Sequence, residues 1–527
     1  RSGPGVTVLA TSREPLGIAG EQVQPVEPLP VVADDDSGAP QPAVALFVER
    51  ARAADPSFVL DPSTAPAVEE ICRRLDGIPL AIELAAARTR AVDVSEIAAR
   101  LDERFRLLRG VRRDVDPRHH ALADAIRWSY DLLGTEEQHL FRRLSVFAGP
   151  LDLDAVEQVC APEEDDVMDI VSHLVDRSMV VVRRHPGTGT WYELLETLRD
   201  YGRQLLPDQE LVETSRRHVD HHLRLATQVE RAAQGPDEHR QTRRADRAFA
   251  DLRAAQRAAL ETGDLDRGFA LIAAIREFSM RTMRYEALGW ADRAVESPGA
   301  ADHPLFPTML GLQAYSSWIR GEFDRAIELA ERAASAESGQ GIAPSGLAER
   351  VVGNVRFVLG DYEAGHAMTE RQLELAEASG VTSRIVHATY MHSVATSVRD
   401  RSLSRELARR AHDVAGRSDN PTDLASAWLA TAFSADDVDA GLRGFERADT
   451  LARSAGNRWL STFARTEMYA LLVERGDHAD ARHGLAEVVD IWFRAGEWSQ
   501  QWLTLGRCLI ALAAIGERDL AAEVAGA

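Results

Sequence analysis

The sequence has no lysine; all 61 of its basic residues are arginine. That absence excludes mechanisms that need a lysine amine: Schiff bases, a P-loop lysine, the strand lysine of a kinase. Cysteine is scarce as well. Cys72, Cys160 and Cys508 stand 88 and 348 residues apart, which gives neither a zinc pair nor a disulfide framework and fits a reduced, cytoplasmic protein. Long apolar runs are missing: 269–275 and 508–515 fall far short of the ~20 residues a membrane span needs. Positive charge is in deficit, since 83 Asp+Glu against 61 Arg leave a formal charge of −22. Such a balance opposes bulk attraction to phosphate backbones or anionic membranes.

What is present is ordinary globular material. The 527 residues, 45% hydrophobic and 27% charged, suggest about three to five domains at roughly 100–200 residues each. Val6-Thr7-Val8-Leu9-Ala10 reads as a buried strand that delivers polar residues at its carboxyl end. From residue 43 the period becomes helical, with helices expected over 43–54, 65–75, 79–90 and 95–104, and Gly77 and Pro79 punctuating the second junction. Leu122, Ile126, Tyr130 and Leu133 lie on one helix face, and Leu140, Leu144 and Phe147 on a second before Gly149-Pro150. A third helix is expected over 165–176. Two short strands, 179–182 and 191–194, then flank a turn-rich loop, and a closing helix over 197–206 completes the pattern of a winged helix.

From about Leu211 onward there is no strand signal, and a short phrase recurs: Gly321-Glu322-Phe323-Asp324, Gly360-Asp361-Tyr362-Glu363, Gly476-Asp477-His478-Ala479 and Gly516-Glu517-Arg518-Asp519. The separations are 39, 116 and 40 residues, and degenerate copies near Asp400 and Asp437 fill the long gap. A period of about 40 with two helices per unit predicts an α-solenoid, because each helix pair can bury its apolar face only on its neighbours. The chain opens without Met and the last phrase breaks off at Ala527, so truncation at both ends is expected.

Several residue groups bear on chemistry. Arg13, on the loop after a buried strand, suits either a phosphate contact or the surface. Gly77-Ile78-Pro79 is good helix-start chemistry with or without a ligand. His218, His221 and His222 share a helix face at a spacing that can bind zinc; with no acidic or cysteine partner fixed nearby, they read as exposed helical histidines and no metal is assigned. Gly187-Thr188-Gly189-Thr190 lacks a lysine and reads as a hairpin turn. The aromatics Trp318, Phe323, Tyr362, Trp492 and Trp502 read as interhelix packing. Residues 118–205 hold 9 Arg against 16 Asp+Glu, so the winged helix reads as an internal packing and switching element, with Arg142-Arg143 and Arg183-Arg184 solvated or paired locally.

In order along the chain, Thr11-Ser12-Arg13-Glu14-Pro15-Leu16, Gly77-Ile78-Pro79-Leu80-Ala81-Ile82, Trp128-Ser129-Tyr130-Asp131-Leu132-Leu133 and Tyr192-Glu193-Leu194-Leu195-Glu196-Thr197 resemble the sensor strand-end, the GxP helical lid and the two ends of the winged helix of STAND-class signal-transducing ATPases, relatives of the NB-ARC proteins. The resemblance covers residues 1–205 and is generic over the solenoid. It implies a mainly α fold: the edge of an α/β P-loop NTPase sheet at 1–42, a helical lid at 43–117, a winged helix at 118–206 and a tetratricopeptide-like (TPR-like) α-solenoid at 211–527. It implies ATP/ADP with Mg²⁺ as cofactors, Arg13 sensing the terminal phosphate, and Pro79, on its Gly77 turn, packing on adenine. Where plant and animal members place Met-His-Asp, this chain reads Leu194-Leu195-Glu196, so their histidine contact to ADP is not carried over.

The family's P-loop and Walker B strand are not in the chain, so no catalytic residue is assigned and hydrolysis by this polypeptide alone is not expected. Family relatives are large bacterial transcriptional regulators, some with LuxR-type output domains. They imply a cytoplasmic, nucleotide-switched sensor whose repeats bind a protein or small-molecule inducer on their concave face, with self-association, DNA contact only through an output domain outside this chain, and no membrane partner. The competing expectation is a nucleotide-independent scaffold whose TPR-like repeats bind protein.

Overall fold

A computed structural model describes residues 22, 24, 28–31, 41–75, 77–99, 101, 126–161, 166–185, 189–514 and 516. The fold is mainly α, and a single two-stranded sheet is its extended structure among the described residues. The expected first strand at residues 6–10 and Arg13 lie outside the described residues. The chain divides into two compact units, the second of which holds residues 143–164, 184–193 and 206–527.

In the first unit, helices Pro42–Ala54, Ala65–Arg74 and Pro79–Ala86 pack with residues 94–99 around the fully buried Phe47, Val68, Ile71, Ile82 and Ile97. The helix from Pro79 is shorter than the sequence suggests, tightening into a 3₁₀ turn over Ala87–Arg90. Gly77 takes φ +67°, and a Cβ there would stand 2.1 Å from the Leu29 carbonyl oxygen. Only glycine allows this turn, because the Leu29 amide donates to the Gly77 carbonyl at 2.9 Å and brings the two backbones together. Buried Arg88 donates to the Ser129 carbonyl at 3.1 Å and sits 6.0 Å from the Trp128 ring, joining these helices to residues 126–131.

Helices Thr135–Leu144, Val167–Asp176 and Glu196–Leu205 and strands Val181–His185 and Gly189–Glu193 follow in the expected order. The second of these helices starts two residues later than expected. Phe147 lies beyond the end of the first, because the chain turns at Ser145-Val146. The strands shift towards the loop, taking in Arg183-Arg184-His185, where the sequence suggests a turn.

Residues 208–514 are helical throughout, in pairs such as Phe306–Ile319 with Phe323–Gly339 and Pro421–Phe433 with Val438–Ala455. The recurrent phrase is punctuation for these pairs. Its glycine ends one helix in the left-handed region, as at Gly360 (φ +81°) and Gly476 (φ +97°); its acidic residue stands at the start of the next, capping it at Asp361 and in the degenerate copies at Asp400 and Asp437, while Glu322 and Asp477 make no side-chain cap. Asp361, Asp400 and Asp437 accept from the amides of Ala364, Leu403 and Ala440 at 3.3, 3.0 and 2.7 Å. Trp318 and Trp492 are buried as expected. Tyr362 and Trp502 are not: Tyr362 begins its helix and faces solvent, and both are about two-thirds exposed.

Early helices meet late ones. Buried Glu238 accepts from the Asn420 amide at 3.1 Å and the Thr422 hydroxyl at 2.9 Å, and the Tyr285 hydroxyl donates to the buried Glu497 carboxyl. The repeat array therefore closes back on its own start.

Candidate ligand site within the helical repeats

Closure of the array leaves a cavity of about 190 Å³ between its early and late helices. Arg276, Glu277, Met280 and Arg281 reach it from one early helix, Arg350 from Leu347–Val358, Arg384 and His387 from Thr382–Thr396, and Asp423 from Pro421–Phe433. Tyr315 and Trp459 add aromatic wall. Four arginines thus face three carboxylates, those of Glu230, Glu277 and Asp423.

The charges are unevenly paired. Glu277 lies 3.8 Å from Arg276 and 3.7 Å from Arg281; although burial opposes its charge, Arg281, Arg276 and Arg350 hold its carboxyl down to about 2. Burial pushes Asp423 up to about 6 and also raises Glu230. Arg350 sits 5.0 Å from the Tyr315 ring and donates to the Tyr315 hydroxyl at 3.3 Å. Among the described residues, no carboxylate lies within ion-pair distance of Arg350 or Arg384, and Arg384 has no hydrogen-bond partner. Burial and the neighbouring Arg276 charge lower the Arg384 pKa. His387 is held neutral, its pKa down to about 3 through burial and the Arg350 charge, and its buried Nε2 has no hydrogen-bond partner among the described residues.

The sequence places an inducer on the concave face and reads the aromatics as packing, without singling out these arginines. Nothing local distinguishes Arg350 and Arg384 from the other 59 arginines; only closure of the array shows what surrounds them.

A second polar cluster corrects the reading of the histidines. His218, His221 and His222 are buried, 2–5% exposed, because Phe147 packs on His218 and His222 at 5.1 and 6.1 Å. An acidic partner is present 33 residues on: Asp251, whose carboxylate accepts His218 Nε2 at 3.0 Å and the Ala148 and Gly149 amides at 2.6 and 3.1 Å. His218, His222 and Asp251 stand close enough to hold a metal ion. In the structure three donors converge on the Asp251 carboxylate, and His222 Nδ1 donates to the His218 carbonyl at 2.8 Å, which leaves the lone pair on His222 Nε2. Burial drives the His222 pKa well down, with the His218 charge adding to it. The cluster is a clasp holding the Ala148-Gly149 turn on the Phe249–Glu261 helix.

Of the nucleotide residues expected, Arg13 lies outside the described residues. Gly77 is buried against Leu29, and Pro79, at the first position of its helix, is exposed. Pro79 offers a ring surface to adenine, whereas no described residue near it forms a phosphate cradle; the described residues fit at most one wall of a nucleotide site.

Helix Val167–Asp176 is followed in the chain by the strand pair, the order of a third helix and wing. Residues 133–207 match the winged helix-turn-helix domain family. Its third helix exposes Asp166, Met168, Asp169, Ser172, His173 and Asp176, a face with three carboxylates and no arginine. Over 298 residues, 56% of this chain and 32% of the other, the chain is 40% identical to a protein of Mycobacterium tuberculosis (strain ATCC 25618 / H37Rv) named as a candidate HTH-type transcriptional regulator. Over 239 residues, 45% of this chain and 58% of the other, it is 40% identical to an uncharacterized protein of the same strain. The chain thus spans about a third to somewhat over half the length of these curated relatives.

Among solved structures, it resembles a signal-transduction ATPase with numerous domains and a tetratricopeptide repeat sensor from Pyrococcus horikoshii (14% identity, TM-score 0.42, 92% of this chain and 64% of that one). It also resembles a Rap protein complexed with competence and sporulation factor (13% identity, TM-score 0.40, 58% and 85%). Neither likeness bears on function. No described helix is long and apolar enough to cross a membrane.

Proposed function

We propose that this chain is the sensing part of a cytoplasmic transcriptional regulator, in which the helical repeats bind an inducer inside their closed array and the winged helix-turn-helix domain serves as a switching element. The observation that carries this reading is the polar cavity, whose Arg350 and Arg384 have no carboxylate partner among the described residues. The winged domain's acidic third helix is poorly suited to hold phosphates, and the Asp251 clasp ties residues 148–149 of that domain to the repeats. The 40% identity to a protein named as a candidate regulator supports a role in transcription.

The nucleotide switch is a further part of the proposal. ADP or ATP with Mg²⁺ would sit at Arg13, Gly77 and Pro79, with a phosphate-binding loop that this chain does not contain. Calorimetry with each nucleotide and Mg²⁺ tests it: micromolar binding that Arg13→Ala weakens supports the switch, and no binding leaves a nucleotide-independent scaffold. The sensing claim is tested by filling the cavity with Ala388→Trp, in a wall position 1% exposed, and comparing transcript profiles of the host. The variant is expected to reproduce the profile of a gene deletion or of a locked state; a wild-type profile from a folded variant contradicts sensing at this cavity.

A further inference from the structure

We propose that the cavity is a receptor for a small organic anion, held by the guanidinium groups of Arg350 and Arg384 through its carboxylate or phosphate. This rests on the reading of the repeats as a ligand sensor and adds the chemistry of the ligand. The described partners of Arg350 are neutral: the Tyr315 ring and hydroxyl and, at 3.9 Å, the Met280 sulfur. Arg384 has none among the described residues. Two guanidinium groups facing one partly desolvated space repel each other unless an anion is shared between them, and their planar forks suit a carboxylate or phosphate.

The carboxylates of the wall do not fill that role. Glu277 serves Arg276 and Arg281, Glu230 lies 3.9 Å from Arg276, and Asp423 accepts the Ser418 hydroxyl at 3.0 Å. His387 Nε2, buried and without a partner among the described residues, supplies a third polar atom in the same wall. Size restricts the occupant. A cavity of about 190 Å³ is of the order of the roughly 150 Å³ engineered cavity that accepts benzene, so it takes a small molecule and excludes a helix or folded partner. Tyr315 and Trp459 would cover the apolar body of such a ligand.

The test is calorimetric titration of the full chain with inorganic phosphate, succinate, benzoate and phenyl phosphate, with benzyl alcohol as the uncharged counterpart. At least one anion is expected to bind saturably at one site, with affinity falling at least about tenfold in both Arg350→Gln and Arg384→Gln. The unfolding temperatures of the unliganded variants, read beside the affinities, separate loss of the anion contact from loss of the fold. Arg350→Lys, which keeps the charge and loses the fork, serves if the glutamine variant fails to fold, with the same expected weakening. Preference for phenyl phosphate over benzoate, or the reverse, separates a phosphate from a carboxylate ligand, and either supports the proposal.

No saturable anion binding, or binding that persists in both glutamine variants, overturns it. Binding of benzyl alcohol that Ala388→Trp blocks and the arginine variants do not would overturn the anion class while leaving the sensor reading intact. That reading falls separately, on an unchanged transcript profile with Ala388→Trp.

Discussion

At the scale of single residues, the charged groups that organise this protein are buried ones whose partners come from distant sequence. Asp251, 1% exposed, receives one imidazole and two backbone amides, and removing it strands three donors. Asp251→Ala is expected to destabilise the repeats by on the order of 3 kcal/mol, visible as a lower urea midpoint by circular dichroism; an unchanged midpoint would deny the clasp its structural role. Glu497 makes a pH-dependent counterpart. Burial pushes its carboxyl up to about 7, against an ordinary value of 4.5, while it accepts the Ser499 hydroxyl at 2.8 Å. Because the folded pKa is raised, its protonated form contributes stability below about pH 4.5 that is lost as pH rises through about 7. Glu497→Gln should therefore raise the unfolding temperature above wild type at pH 8 and converge with it near pH 4.5. None of this was legible locally. Three histidines on one helix face are visible in the sequence, but the packing of Phe147 on His218 and His222 and the pairing of His218 with Asp251 are set by tertiary structure.

At the scale of helices, much more was legible, because turn chemistry is local. The glycine followed by an acidic residue marks the junctions, since one residue enters the left-handed region and an acidic residue at the next helix start can accept an orphan amide, as Asp361 does and as Asp437 does without the glycine. Asp437→Ala is accordingly expected to cost about 1 kcal/mol, measured by urea unfolding. What the phrase does not show is a second series of glycines, Gly341, Gly380 and Gly456, which also take positive φ and end the alternate helices; the residues after them, Ile342, Val381 and Asn457, are not acidic, whereas Gly496-Glu497 in the same series carries the signature. Close approach was equally hidden. A Cβ at Gly444 would stand 3.0 Å from Ala432 Cα and 3.2 Å from its nitrogen, so Gly444→Ala should force two paired helices apart and cost about 1–3 kcal/mol. The same substitution at Gly506, where a Cβ meets nothing, should be neutral or stabilising.

At the scale of the whole molecule, the net charge of −22 and the acidic face of the winged domain lead to the same expectation. A gel-shift titration with duplex DNA at 150 mM salt should show no retention of this chain at micromolar concentration; steeply salt-dependent binding would restore the winged helix as a DNA reader. The periodicity made a solenoid legible, and the ordered phrases made a winged helix legible. The cavity was not, because it exists only where Glu238 meets Asn420 and Tyr285 meets Glu497, residues 182 to 212 positions apart. Its chemistry is a property of closure and of no single repeat.

If the interior of the repeats is the receptor, the Asp251 clasp carries its state to residues 148–149. Amide hydrogen exchange on the full chain, with and without a saturating concentration of whichever of the four anions binds tightest, is the measurement that decides it. Exchange is expected to slow in the Arg276–Thr282 and Thr382–Thr396 helices, together with altered exchange at residues 148–151 that Asp251→Ala abolishes. Unchanged exchange in the two cavity helices would contradict it.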